Sequence, residues 1–298
     1  LANMGVETEF VTRLPENEIS RCGIAALNKY RVKTDNIPVG GDRIGIFYCE
    51  KGASQRPSKV IYDRMNTGFT TCKTEDYDWE KIFDGAGYFH FTGITPALGE
   101  SVAAVCLDAC KMAKECGITV SCDLNYRKNL WTTEQAKATM ERLLEYVDIL
   151  IANEEDAEKV LGISAPDTDV TAGKLNKEGY VSVAKQICRK YGIPTVAITL
   201  RQSISASDNN WSGMLYTNDT AYFSREYAVH LVDRVGGGDS FGAGLIFAIG
   251  HGFEPQKCID YAVAASCLKQ TMEWDVNLST EKEIMTLVNG DGSGRVQR

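Results

Sequence analysis

Asp233 to Gly250 reads DRVGGGDSFGAGLIFAIG, in which three successive glycines, Gly236 to Gly238, run straight into Asp239 and a small, apolar segment with helical spacing. Glycine accepts backbone angles that residues with side chains avoid, so such a triplet can turn several N–H groups toward one point. The helix that follows adds its own unpaired N–H groups and the positive end of its dipole. Together these features make a site for an anion, phosphate above all. Asp239, at the mouth of that site, is a poor anion ligand but a good base for an incoming hydroxyl. A plainer reading makes Asp239 the N-cap of a tightly packed helix, and the glycines alone do not choose between the two. The stretch contains no GxxxxGK[ST], and its match to GxGxxG is partial, with no strand directly before it.

Other residues with chemical potential lie elsewhere. In Lys59–Arg64, Val60, Tyr62 and Arg64 alternate with Ile61 and Asp63, which puts Tyr62 and Arg64 on one face. An aromatic and a guanidinium on the same side suit a lid over a polar ligand, but on these residues alone a solvated edge strand is the favoured reading. Cys106, Cys110, Cys116 and Cys122 form no CxxC pair, and helix and strand spacing reads them as small buried hydrophobes.

The elements that must position these groups alternate in type. Phe10–Leu14 is predicted as a short strand and Ile19–Tyr30 as an amphipathic helix, followed by β-rich runs at Arg43–Glu50 and Lys59–Arg64. Strands are then predicted at Ala86–Ile94, Ile118–Leu124, Val147–Asn153 and Thr195–Leu200. Helices fall between them at Gly99–Cys116, Thr132–Tyr146, Glu154–Leu161 and Val181–Tyr191. Such alternation implies βαβ units and a mostly parallel sheet covered on both faces. Ligands of open α/β sheets gather at the carboxyl ends of the strands. That rule singles out Asn125, Arg127, Asn153 to Asp156, Arg201 and the Gly236 turn.

With 298 residues, 44% of them hydrophobic, the chain has ample material for a buried core. A net charge of −8 argues against a nucleic-acid partner. No apolar run approaches the roughly 18 residues needed to cross a bilayer. No secretory signal opens the chain, and ten scattered cysteines fit a reducing cytoplasm. Leu1–Gly5 reads like the last turn of a helix and its glycine stop, so an opening strand-and-helix unit is expected to be absent. The polar, Gly-rich tail from Asn289 to Arg298 is expected to be loose.

Gly236-Gly237-Gly238-Asp239 resembles the second signature, GAGD, of the ribokinase-like (PfkB) sugar kinases, with Gly237 at the usual Ala position. VIYDR (Val60–Arg64), CDLNYRKNLW (Cys122–Trp131) and the ending GDGSGRVQR are similar to the sugar-acid subgroup of that family. The resemblance implies a single kinase domain over residues 1–298, a ribokinase-like three-layer α/β sandwich. A small β-rich lid would come from about residues 10–14 and 40–72. It implies ATP-dependent phosphorylation of the terminal C6 hydroxyl of a sugar acid, 2-keto-3-deoxygluconate foremost. Kinases of fructose, ribose or a nucleoside, and a non-catalytic sugar-acid or nucleotide sensor, stand as alternatives.

Within that resemblance Asp239 is the base and also touches substrate, and Gly236, Gly237 and Gly238 cradle the transferring phosphoryl group. Tyr62 and Arg64 reach the substrate from the lid, Arg127 binds its carboxylate, and Asp275 is a substrate-side acid. Planar guanidinium forks hold carboxylates by two parallel hydrogen bonds, which a neutral sugar would not require. Asn125, Asn153, Thr199 and Arg201, with Gly236 and Gly238, surround ATP; Ala262 to Ser266 mark the adenine pocket. Asn153-Glu154-Glu155-Asp156 stands at the family's NxxE, so Asp156 or Glu155 would place Mg²⁺ through water. Phe47 replaces a substrate-facing Tyr, whose hydroxyl contact Tyr48 could take over. The family's first signature, which binds sugar hydroxyls, is not found after Leu1. A second copy is expected to cover the lid's apolar face, giving a homo-oligomer.

Overall fold

The run Ile149–Ala152 is apolar at every position because both faces of its strand are covered. Ile149 and Ile151 join one hydrophobic cluster, and Leu150 and Ala152 join another on the opposite side. The structure, a computed structural model, describes residues 1–153, 155–164, 177–290 and 292. Glu154 and most of the tail expected to be loose lie outside the described residues.

The chain opens with a parallel pair, β1 (Thr8–Glu9) and β2 (Val32–Lys33), around helix α1 (Glu18–Lys29). The strand expected at Phe10–Leu14 is not formed: the Phe10 amide donates to the Lys33 carbonyl at 3.0 Å, and Leu14 makes an isolated bridge to Val39. An antiparallel ribbon follows, β3 (Ile46–Glu50) with β4 (Lys59–Asp63), and then the short helix α2 (Trp79–Ile82). The alternating region comprises β5 (Tyr88–Thr92), α3 (Glu100–Glu115), β6 (Thr119–Asp123), α4 (Thr133–Leu144), β7 (Ile149–Ala152), α5 (Asp156–Leu161), α6 (Lys177–Tyr191) and β8 (Thr195–Ser203). Three strands not anticipated from sequence come next: β9 (Asp208–Thr217), β10 (Thr220–Phe223) and β11 (Tyr227–His230). Helices α7 (Gly237–Gly250), α8 (Pro255–Gln270) and α9 (Glu281–Val288) close the described chain.

The central sheet has the order β10-β9-β8-β7-β6-β5, with β11 also paired to β9. Strands β5 to β8 are parallel, and β9 to β11 are antiparallel additions. Helices α2 to α6 cover one face and α7 to α9 the other, giving the expected three layers. Local signals agree with this arrangement: Thr132 and Gln135 form a reciprocal capping box that starts α4. Of the four clustered cysteines, Cys106, Cys110 and Cys122 are buried; Cys116, at the C-cap of α3, is exposed instead.

All ten residues of the β3–β4 ribbon are exposed. In its register Phe47 faces Tyr62 and Tyr48 faces Ile61, so Tyr48 projects from the side opposite Tyr62. The expectation that Tyr48 could replace a hydroxyl at Phe47 is therefore corrected. Among the described residues, no helix is long and apolar enough to cross a membrane.

Candidate active site

Two regions meet at the carboxyl edge of the parallel strands. The first is the turn before α7. Gly236 adopts φ 80°, and a Cβ there would collide with the Asp275 carbonyl, so both the backbone angle and the close approach require glycine. Among the described residues, the amides of Gly236, Gly238 and Asp239 make no hydrogen bond within the chain. They are the orphan donors of a helix start, held open beside the exposed side chain of Asp239. Asp239 is thus not turned into the core, but the Gly237 amide donates to the Arg234 carbonyl at 3.2 Å, so the cradle expected from all three glycines is left to the amides of Gly236 and Gly238.

The turn is fastened from behind by α8. Ser266 Oγ donates to the Gly237 carbonyl at 2.7 Å. The Gln270 carbonyl accepts the Val232 and Asp233 amides at 2.9 and 3.3 Å. The lid ribbon also reaches this turn: Lys51 Nζ lies 3.0 Å from Asp233 Oδ2. Ala206 and Ser207, in the β8–β9 connection, hydrogen-bond Ser54 of the lid at 2.8 and 2.9 Å.

The second region is a cleft of about 380 Å³ whose walls include Tyr62, Arg64, Tyr126, Arg127, Glu155 and Lys159. Arg64 lies 4.2 Å over the Tyr62 ring, as their shared strand face requires. Arg127 is near enough that its charge, after burial, lowers the pKa of Arg64. Among the described residues, neither guanidinium makes a direct ion pair, although the charge of Arg127 is felt by the nearby carboxyls of Asp123 and Asp156. Two cations facing one cleft, neither directly paired, favour an anionic ligand. Glu155 is ion-paired with Lys159 at the same cleft.

Between the two regions lies a group of carboxyls. Asp156 is 3% exposed, and its oxygens accept the amides of Tyr126 and Asn153 at 3.1 and 3.2 Å. Asn153 Oδ1 reciprocates, accepting the Asp156 amide at 3.0 Å. Burial nonetheless raises the Asp156 pKa. Asp123, which the sequence reading passed over, ends β6 and accepts the Asn125 amide at 3.1 Å. Burial in the cleft, then the charges of Asp156 and Asp239, push its pKa up to about 8, and Arg127 only partly offsets them. Asn125 takes φ 40°, and its Nδ2 donates to Thr92 Oγ1 at 3.0 Å.

These carboxyls bear on the expected Mg²⁺. Among the described residues, no three His, Cys, Asp or Glu side chains converge closely enough to ligate a metal directly. Converging, incompletely neutralised carboxylates with free lone pairs do fit a Mg²⁺ that keeps its own waters. Asp156 and Asp123 belong to that group; Glu155 is engaged by Lys159.

Thr199 and Arg201 are not in a turn. Both sit inside β8, which runs on to Ser203 because β9 pairs with it along nine residues. Thr199 is buried and Arg201 exposed. Arg201 approaches Arg234 of the glycine turn, whose pKa falls through burial and then through that like charge. Arg234 was also missed, although it sits two residues before Gly236. Asp275 is exposed, and its carbonyl backs Gly236. Ala262 to Ser266 are fully buried in α8, so they form no open adenine pocket in this structure.

The chain belongs to the pfkB family of carbohydrate kinases, which residues 1–273 match. It is 52% identical to the 2-dehydro-3-deoxygluconokinase of Thermotoga maritima, whose crystal structure superposes with a TM-score of 0.93 over 97% of this chain and 86% of that one. A 2-dehydro-3-deoxygalactonokinase of Haloferax volcanii is 26% identical, the match covering 98% of this chain and 85% of the relative. The ATP-bound fructokinase of Xylella fastidiosa, 18% identical with a TM-score of 0.74 over 97% of this chain and 87% of that one, shares the fold.

Proposed function

We propose that this chain is an ATP-dependent kinase acting on the C6 hydroxyl of 2-keto-3-deoxygluconate, a name that is a synonym of 2-dehydro-3-deoxygluconate. The observation carrying the proposal is the junction of an open amide turn beside Asp239 with a cleft that Arg64 and Arg127 enter from different elements, near enough to feel each other's charge. Kinship with the Thermotoga maritima enzyme supports the choice of sugar acid.

Asp239 accepts the C6 hydroxyl proton as that oxygen attacks the γ-phosphorus, and the bond to the ADP oxygen breaks on the opposite side. The Gly236, Gly238 and Asp239 amides and the α7 dipole stabilise charge on the transferring phosphoryl group. Arg64 and Arg127 hold the substrate carboxylate, with Tyr62 supporting Arg64 from the lid. Arg201 and Arg234 bind the nucleotide phosphates; Asn125, Asn153 and Thr199 shape that side, and Asp275 lies toward the sugar. Asp156, with Asp123 beside it, would order the waters of a Mg²⁺ that neutralises phosphate charge when bound, and Glu155 could join them only by leaving Lys159. Positioning and electrostatics, not covalent chemistry by the protein, account for the rate.

The whole chain acts as one kinase domain with residues 40–72 as its lid. A second copy covers the apolar lid ribbon, where Phe47, Tyr48 and Ile61 are 46, 60 and 55% exposed. Ten unpaired cysteines suit a reducing cytoplasm.

A coupled ADP-release assay with 2-keto-3-deoxygluconate, its galactonate epimer, gluconate, fructose and ribose tests the reading. Turnover confined to the keto-deoxy acids is expected. Preference for a neutral sugar would refute the role of the two arginines. Binding without ADP release from any substrate would leave a sensor.

A further inference from the structure

Lys269, in the last turn of α8, has no exposed surface. It lies directly behind the amide turn: Nζ donates to the Asp233 carbonyl at 3.3 Å. Its Cε would stand 3.3 Å from a Cβ on Gly236. Ser266 and Gln270, three residues before it and one after, grip the same turn, so one face of α8 forms a clamp.

Burying an ammonium is unfavourable unless its charge is matched. Here the carboxylates of Asp233, Asp275 and Asp239 favour the charge, Lys51 opposes it, and burial weighs most heavily, lowering the pKa. Complementing the C-terminal dipole of α8 would explain a lysine at this end, but not its complete burial against the Gly236 turn. Space alone would be filled as well by Met, without the desolvation penalty.

We infer that Lys269 is a positioning residue for phosphoryl transfer: a tethered cation behind the turn 233–236 that fixes the outward aim of the open amides. It adds positive potential on the side away from the substrate and touches neither sugar nor nucleotide. The inference rests on the phosphoryl-transfer reading, which ADP release by the unaltered protein tests separately in the same assay.

The experiment compares Lys269→Met and Lys269→Ala with the parent. Lys269→Met, folded by near-UV circular dichroism, is expected to lose about 10- to 100-fold in kcat while the sugar-acid KM stays within about threefold. Lys269→Ala is expected to regain turnover with propylammonium chloride but not with n-propanol, sodium chloride matching the ionic strength. If Lys269→Met retains the parent kcat, or n-propanol restores Lys269→Ala as well as propylammonium does, the lysine is a spacer and the inference is overturned. Should the Met variant not fold, the amine-against-alcohol comparison on Lys269→Ala decides alone: recovery with the amine only supports the inference, and any other result refutes it. An inactive parent protein would instead refute the kinase reading itself.

Discussion

Asp156 accepts a hydrogen bond from the Tyr126 amide at 3.1 Å, joining the loop after β6 to the loop after β7. Its other oxygen takes the Asn153 amide at 3.2 Å, so one buried carboxylate fixes the backbone on which Arg127 stands. Asp156→Ala leaves both amides without partners, each costing about 1–3 kcal/mol. Urea unfolding should register a loss of roughly 2–4 kcal/mol, and kcat/KM should fall as Arg127 drifts. A variant of parental stability would mean the two amides find water at no penalty.

Arg64 and Arg127 belong to different elements, the lid ribbon and the loop after β6, and meet only across the cleft. Replacing either by Lys keeps the charge but loses the planar fork. Each such variant should raise the KM for the keto-deoxy acid about 10-fold or more, with a smaller effect on the KM for ATP. Equal rises in both KM values would place the arginines outside the sugar site.

Adjacent glycines of the turn should respond in opposite ways. Gly236→Ala meets both a left-handed angle and the Asp275 carbonyl, so it should destabilise by more than about 2 kcal/mol and abolish turnover. Gly237→Ala places its Cβ in ordinary contact, 3.4 Å from Gln270 Cγ, within the first turn of α7. It should raise stability by about 0.4–1 kcal/mol through the unfolded chain's lost freedom. Thermal melts of the two proteins check the contrast.

Asp239→Asn should bind sugar acid and nucleotide, measured by calorimetry, while kcat drops roughly 10²–10⁴-fold. The side chain is exposed and of similar shape, so the fold should be unchanged. Turnover near the parental rate would remove Asp239 from its role as base.

The glycine turn, the alternating strands and the shared face of Tyr62 and Arg64 were legible because each is a local pattern. The β9–β11 additions were not, because the segment after Leu200 carries its pairing information in partners up to 22 residues away, as Thr195 with Thr217 shows. Their presence extends β8 and moves Arg201 from a turn into a strand. Lys269 was opaque for a related reason: a lysine near a helix end reads as solvated, and only tertiary packing reveals the turn it backs. Asp123 could have been found, since it closes a strand at the sheet edge where ligands gather.

Asp123 also gives the protein a pH signature. Its pKa rises from 3.8 to about 8 in the folded chain, through burial first and the Asp156 and Asp239 charges next, with Arg127 and the Asn125 amide opposing. Between those two values the native state holds a proton that the unfolded state has released. Stability therefore falls as pH rises through that window. Asp123→Asn cannot lose that proton, so its melting temperature should gain on the parent's as pH goes from 5 to about 9. Asp156, also raised by burial, contributes with the same sign in the parent, and Asp123→Asn removes the charge coupled to it, so the measured gain belongs to the pair. A difference in melting temperature that stays flat across this range would show that Asp123 ionises freely in the folded cleft.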